Sequence, residues 1–190
     1  MEVLHKKIVL ASASPRRRDL LEKAGFQFEV RPTDIPEDYP EELPVEEVAE
    51  YLAIKKAEAA RSSLQQGEIA LAADSVVILD GVIYGKPVDY EDAFRIISKL
   101  SGRVHDVFTG VCLLSSEKKV SFSSLSKVHI GELSPAEIDY YIQKFQPYDK
   151  AGAYAIQEWI GLCKIHKIEG THTNIMGLPV DRVYAELLAF

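Results

Sequence analysis

Two cysteines among 190 residues are too few for a disulfide framework. Cys112 and Cys163 both lie inside apolar, strand-like runs, where reduced core thiols are expected. The five histidines form no metal-binding pair and there is no Cys/His cluster, which argues against a structural zinc site. No apolar run approaches the ~20 residues of a membrane span, and Met1 to Lys7 lacks a signal-peptide apolar core. The expectation is therefore a cytoplasmic protein without a membrane partner. Basic side chains are also short, 22 against 29 acidic ones, and a net charge of −7 makes the surface as a whole repel a nucleic-acid backbone. No repeat, low-complexity tract or linker breaks the chain, so one domain over residues 1–190 is expected, long enough to bury roughly 70% of the unfolded surface.

Against that acidic background one basic spot stands out. Ile8 to Ala11 is a short apolar run that reads as a buried strand, Ser12 and Ser14 end it, and a helix follows at once. Ser14 suits the N-cap, Pro15 the first helical position, and Gly25 the position beyond the C-terminus. Arg16, Arg17 and Arg18 fall in the first turn, where cations oppose the helix dipole at ~0.3 to 1 kcal/mol each. Helix stability does not explain three of them. A bound polyanion would, since backbone N–H groups converge there; a solvated basic helix start is the other reading.

The second informative stretch is Ile69 to Leu79. Asp74 and Ser75 interrupt an otherwise wholly apolar run. A carboxylate there must be paired, bind a metal or shift its pKa, so Asp74 is the strongest catalytic candidate; the alternative is a bend that Asp74 merely caps. Asp80-Gly81 then signals a two-residue hairpin, and Gly85-Lys86-Pro87 presents an ammonium between a glycine and a proline.

Elsewhere the chain alternates. Pro32 to Pro44 reads as an acidic, proline-rich surface lip carrying Glu37; Val45 to Gly67 contains a helix bearing Lys55 and Lys56, which nothing local tells apart. Asp89 caps a helix ending before Gly102, Val104 to Leu114 and Lys119 to Ile130 form a long ribbon, and Ser134 to Glu137 is a capping box. Pro147 to Gln157 is too rich in small residues and charges to be core and reads as a functional loop. Leu162 to Ile168 reads as a strand, and Pro179 opens a last amphipathic helix. The class is mixed α/β.

Several of these stretches coincide with one pattern. Ser-Ala-Ser-Pro-Arg-Arg (12–17), Leu-Ala-x-x-Lys-Ala (52–57), Ala-Asp-Ser (73–75), Gly-Lys-Pro (85–87), Leu-Ser-Gly-x-x-His (100–105), Asp-Lys-Ala-Gly-Ala-Tyr (149–154) and Met-Gly-Leu-Pro (176–179) resemble the Maf family of nucleoside triphosphate pyrophosphatases. The resemblance implies a Maf/Ham1-like (inosine triphosphatase-like) α/β fold, with a long curved mixed sheet flanked by helices and a nucleotide cleft between two lobes. It implies hydrolysis of a nucleoside triphosphate to the monophosphate and pyrophosphate, and it assigns Asp74 as the proton acceptor for water, with Lys86 and Glu37 beside it in catalysis. Ser12, Ser14, Arg16, Arg17, Lys56 and Lys86 match phosphate-binding positions. Glu37 and Asp74 match positions for a divalent cation, Mg²⁺ or Mn²⁺. Arg16, Ser75 and Gln157 match the positions that set base preference, and Asp149 to Gln157 looks like the dTTP/UTP branch rather than the 7-methyl-GTP one. Ser75 stands where the family usually has threonine, Ala155 replaces a usual glycine, and Ile35-Pro36 alters the neighbourhood of Glu37. The resemblance also implies a homodimer, while the family's septum-formation name leaves a non-hydrolytic nucleotide sensor as the rival reading.

Overall fold

The computed structural model describes residues 1–190. Its seven strands are β1 (Lys7–Leu10), β2 (Phe28–Val30), β3 (Glu68–Leu79), β4 (Val82–Tyr84), β5 (Val104–Leu114), β6 (Lys119–Ile130) and β7 (Ile165–Glu169). They form one mixed sheet in the order β2-β1-β3-β5-β6-β7, with β4 paired to β3. β1 runs parallel to both neighbours, with Ile8 opposite Phe28 and Ile69, and its interior residues are buried as a parallel strand requires. The helices are α1 (Pro15–Lys23), α2 (Val48–Ala60), α3 (Tyr90–Leu100), α4 (Pro135–Phe145), α5 (Trp159–Cys163), α6 (His172–Met176) and α7 (Val180–Ala189).

The chain divides into two compact units. The first comprises Met1–Asp74, Thr109–Ser124 and Gly177–Phe190. Its core includes an alanine-rich cluster in which Ala53, Ala57 and Ala60 of α2 meet Ala70 and Ala72 of β3 and Cys112 and Leu114 of β5. Small side chains let α2 approach the strands closely. At Gly110 a Cβ would lie 2.3 Å from the backbone of Ala49 and Glu50, so only glycine admits the helix there.

The second unit comprises Ser75–Phe108 and Leu125–Met176. Ile96, Ile97 and Leu100 of α3, Ile138, Tyr141 and Ile142 of α4, and Val77, Val107 and Val128 of the strands build its core. The Asp80-Gly81 hairpin forms as expected, both residues at positive φ (52° and 73°), and sets β3 antiparallel to β4. Asp89 accepts from the Asp92 N–H, and Ser134 and Glu137 complete the capping box.

One alternative is excluded and three expectations are corrected. Asp74 does not mark a bend, because β3 runs unbroken through twelve residues. The segment before Gln157 is not outside the core: Gly152 to Ile156 are all buried, since Gly152 and the alanines are small enough to pack against Val77. Leu162 and Cys163 end a short helix rather than start a strand, which leaves Cys163 exposed while Cys112 is buried. Gly170 to Gly177 contains the short helix α6 rather than turns alone. No helix is long and apolar enough to cross a membrane.

Candidate active site

The turn after β1 is stretched taut. Ala11 continues the strand by donating its N–H to Leu71 O (2.9 Å), and Ser12, 8% exposed, then turns its hydroxyl inward. Ser14 is the N-cap of α1, but its side chain makes no capping bond; instead its N–H donates to Ser12 Oγ at 3.2 Å. Arg17 Nη1 donates to the same oxygen at 3.0 Å, and Arg17 Nε donates to the carbonyl of Gly177 at 2.8 Å. The guanidinium is thus held from two sides. Burial lowers its pKa, with Arg16 adding to that effect and Asp74 and Glu37 opposing it, which places all four charges in one electrostatic neighbourhood. Arg18 belongs elsewhere: its Nε binds Glu22 Oε1 at 2.8 Å, one helical turn along an exposed face. The basic cluster of the sequence is therefore two arginines at the site and one on the surface.

Opposite stands a second charged group. Lys56 falls on the buried face of α2, in step with Ala49, Leu52, Ala53 and Ala60, and its ammonium donates to Asp74 Oδ1 (2.5 Å) and to Glu37 Oε1 (2.7 Å). The side chains of Lys56 and Asp74 are only 11% and 12% exposed, against 46% for Glu37. Lys55, one position earlier, faces outward and binds Pro36 O and Asp38 Oδ1. The two lysines together tie the acidic proline-rich segment to α2. Ser12, Ser14, Arg16, Arg17, Glu37, Lys56 and Asp74 therefore share one unit, and a chain of hydrogen bonds and charges links them.

Ser75, Lys86 and Gln157 lie in the other unit. Lys86 is exposed just beyond β4, and the preceding Gly85 carbonyl accepts the Gly152 N–H at 3.1 Å. Gly152, at φ +71°, has Val77 of β3 so close that a Cβ would sit 2.8 Å from it. The lysine-bearing and glutamine-bearing segments are in this way tied to each other and to the strand that carries Ser75. Gln157 itself is exposed. His105, 1% exposed, meets the hydroxyl of Tyr154 through Nε2 at 2.7 Å, and burial lowers its pKa to about 4.

Glu37 and Asp74 are the carboxylates at hand for a divalent cation, and no group of three or more His, Cys, Asp and Glu side chains gathers anywhere in the chain. The oxygens of Glu37 and Asp74 converge on the Lys56 ammonium, and hard carboxylate oxygens of this kind are the ligand type that Mg²⁺ and Mn²⁺ take.

Sequence reasoning missed one group and found another, Lys56, through the family pattern alone. The Gly177 carbonyl carries no side-chain signal, and only the left-handed backbone there (φ +112°) marks the position. Lys56 could have been separated from Lys55 by spacing alone, since Leu52, Lys56 and Ala60 recur every four residues on the apolar face.

The chain matches the family model described as Maf-like protein over residues 7–190. It is 48% identical over 189 residues to a dTTP/UTP pyrophosphatase of Phocaeicola vulgatus, covering 98% of each chain. It is 50% identical over 187 residues to a dTTP/UTP pyrophosphatase of Porphyromonas gingivalis, covering 97% of this chain and 94% of that one. A Bacteroides thetaiotaomicron protein of the same name is 47% identical over 182 residues, with 95% and 94% covered. Among solved structures, the Ham1 protein of Staphylococcus aureus is similar at 18% identity and a TM-score of 0.49, over 66% of this chain and 72% of that one.

Proposed function

Since this chain belongs to the Maf-like protein family, we propose that it is a pyrophosphatase of dTTP and UTP, releasing the nucleoside monophosphate and pyrophosphate. The observation that carries this reading is Asp74: a carboxylate in the middle of a buried strand, one oxygen on the Lys56 ammonium, and Arg17 within electrostatic reach. Such a group has the surroundings of a base that works on a phosphate.

In this reading Ser12, Ser14, Arg16 and Arg17 receive phosphate oxygens at the start of α1, where the helix dipole adds to the guanidinium charge. Arg17 brings its charge there in a fixed pose, because Gly177 O and Ser12 Oγ hold its guanidinium. Asp74 Oδ1 is engaged by Lys56, leaving Oδ2 to orient a water and take its proton as the oxygen attacks the α-phosphorus. The bond between that phosphorus and the oxygen leading to the β-phosphate breaks, and pyrophosphate departs with that oxygen. Lys56 offsets the charge on the departing group, and Lys86 keeps the phosphate-binding role that the Gly-Lys-Pro pattern implies. Glu37 and Asp74 would hold the Mg²⁺ or Mn²⁺, which when bound neutralises phosphate charge and polarises the phosphoryl oxygen. Gln157, with Ser75, reads the base: its amide offers a donor and an acceptor to a pyrimidine's imide edge.

The test is pyrophosphate release from dTTP, UTP, CTP and 7-methyl-GTP in the presence of Mg²⁺. Preference for dTTP and UTP in kcat/KM is the expected result. Saturable binding without release from any of the four would overturn the enzyme reading in favour of a sensor. A preference for 7-methyl-GTP would overturn the branch alone.

A further inference from the structure

One hydroxyl ties the segment that bears Gln157 to α4. Tyr141 of α4 is completely buried and stacks on Phe145 with ring centroids 5.0 Å apart. Phenylalanine would fill the same space among Ile138, Ile142 and Ile160, so packing explains the ring and not the oxygen. That oxygen accepts the Ala155 N–H at 3.0 Å and donates to Glu158 Oε2 at 2.5 Å. One partner stands two residues before Gln157 and the other immediately after it. The other carboxylate oxygen of Glu158 is 3.5 Å from Lys150 Nζ, and Lys150, itself buried, pairs with Asp149 at 2.7 Å, which joins the start of the segment to its end. Tyr154, Ala155 and Ile156 are each 6% exposed, while Gln157 is exposed. A backbone fixed on both sides thus presents one solvent-facing amide.

A glutamine does not by itself choose between uracil and cytosine. Its amide carries both a donor and an acceptor, and turning it over exchanges them, so either base edge can be satisfied. Discrimination requires that the amide be held in one pose, because only then does the wrong base leave polar groups unpaired. We infer that Tyr141 and Glu158 are positioning residues for base selection, fixing the backbone on either side of Gln157 so that its amide meets the base in one orientation. The inference rests on the assignment of Gln157 to the base, and the experiment separates the two.

kcat and KM for UTP and CTP are measured for the wild type and for Gln157→Ala, Tyr141→Phe, Glu158→Ala, Glu158→Gln and the double variant Tyr141→Phe/Gln157→Ala. Tyr141→Phe and Glu158→Ala each lower the UTP-to-CTP ratio of kcat/KM about tenfold, through the KM for UTP, with kcat held within about threefold. Glu158→Gln, which still accepts from the tyrosine, restores most of the ratio. The double variant discriminates no worse than Gln157→Ala alone, because the clamp has nothing left to position. If Gln157→Ala collapses the ratio while Tyr141→Phe and Glu158→Ala lower both substrates equally, the positioning role is overturned and the base assignment stands. If Gln157→Ala leaves the ratio intact, the base assignment falls and the inference with it. Should Tyr141→Phe fail to fold, Glu158→Ala decides, since Glu158 is only half-buried.

Discussion

Replacing Asp74 by asparagine keeps the shape of the side chain and its ability to accept from Lys56 while abolishing its capacity to take a proton. Loss of a general base costs ~10² to 10⁴ in turnover, or roughly 3 to 5 kcal/mol at ~1.36 kcal/mol per decade of rate. Stability changes less. Uncovering a buried ammonium completely would cost ~3 to 5 kcal/mol, but Lys56 keeps Glu37 at 2.7 Å and the asparagine oxygen in place of Asp74 Oδ1. The residual penalty is ~1 to 2 kcal/mol, a drop of roughly 2 to 8 °C in Tm for a chain of this size. Affinity for UTP is retained or slightly raised, because a negative charge has left the neighbourhood of the phosphates. Three measurements are needed on the same preparation: single-turnover pyrophosphate release at saturating UTP, UTP affinity by calorimetry, and Tm. Glu37→Gln serves as the comparison, because its half-exposed pair with Lys56 is worth ~1 kcal/mol at most. Turnover of Asp74→Asn within tenfold of the wild type, or a loss that tracks the fraction unfolded, would refute the argument.

The two neighbouring arginines should behave as opposites: Arg17→Lys, unable to reach both Gly177 O and Ser12 Oγ, raises KM for UTP on the order of tenfold or more, whereas Arg18→Ala leaves kcat and KM within about twofold because its partner is surface Glu22. Gly110→Ala drives a methyl into the Ala49 backbone and costs upward of ~3 kcal/mol, read as a Tm lowered by more than about 6 °C; an unchanged Tm would mean that α2 yields freely. His105 supplies a pH dependence: its folded pKa of about 4 lies below the ordinary value of 6.5, so the unfolded chain binds the extra proton in between. Stability is therefore complete above pH 6.5 and falls by roughly 3 kcal/mol as pH drops towards 4. The Tm of the wild type should slope over that window, and His105→Gln should flatten the slope if His105 is its source.

Where function depends on neighbours in the chain, the sequence was readable. The strand, the two serines and the proline-led helix after Leu10 form where the apolar run and the caps place them, and Asp74 stood out because a carboxylate interrupts a core strand. The alternative of a bend fails because a pleated strand carries a polar side chain without breaking so long as a partner reaches it, and Lys56 does. Groups that act across long separations were silent. The bond from Arg17 to Gly177 O spans 160 residues and involves a carbonyl, which every residue has. The Tyr141 hydroxyl acts on an N–H of Ala155, again a group without a sequence signature. Pro147 to Gln157 reads as a functional loop outside the core because small residues and charges resemble loop composition. In a tight place small residues also serve packing, and the charges of Asp149 and Lys150 neutralise each other.

The link between Arg17 and Gly177 bears on how the protein is made. Arg17 is synthesised 160 residues before the carbonyl that sets it. A nascent or prematurely ended chain has the anion-binding residues without the acceptor that aims them, and gains correspondingly little from a cellular pool of nucleotide. Ligand binding stabilises the folded state in proportion to its affinity, so nucleotide is expected to protect a chain that contains Gly177 from proteolysis more than one that ends before it.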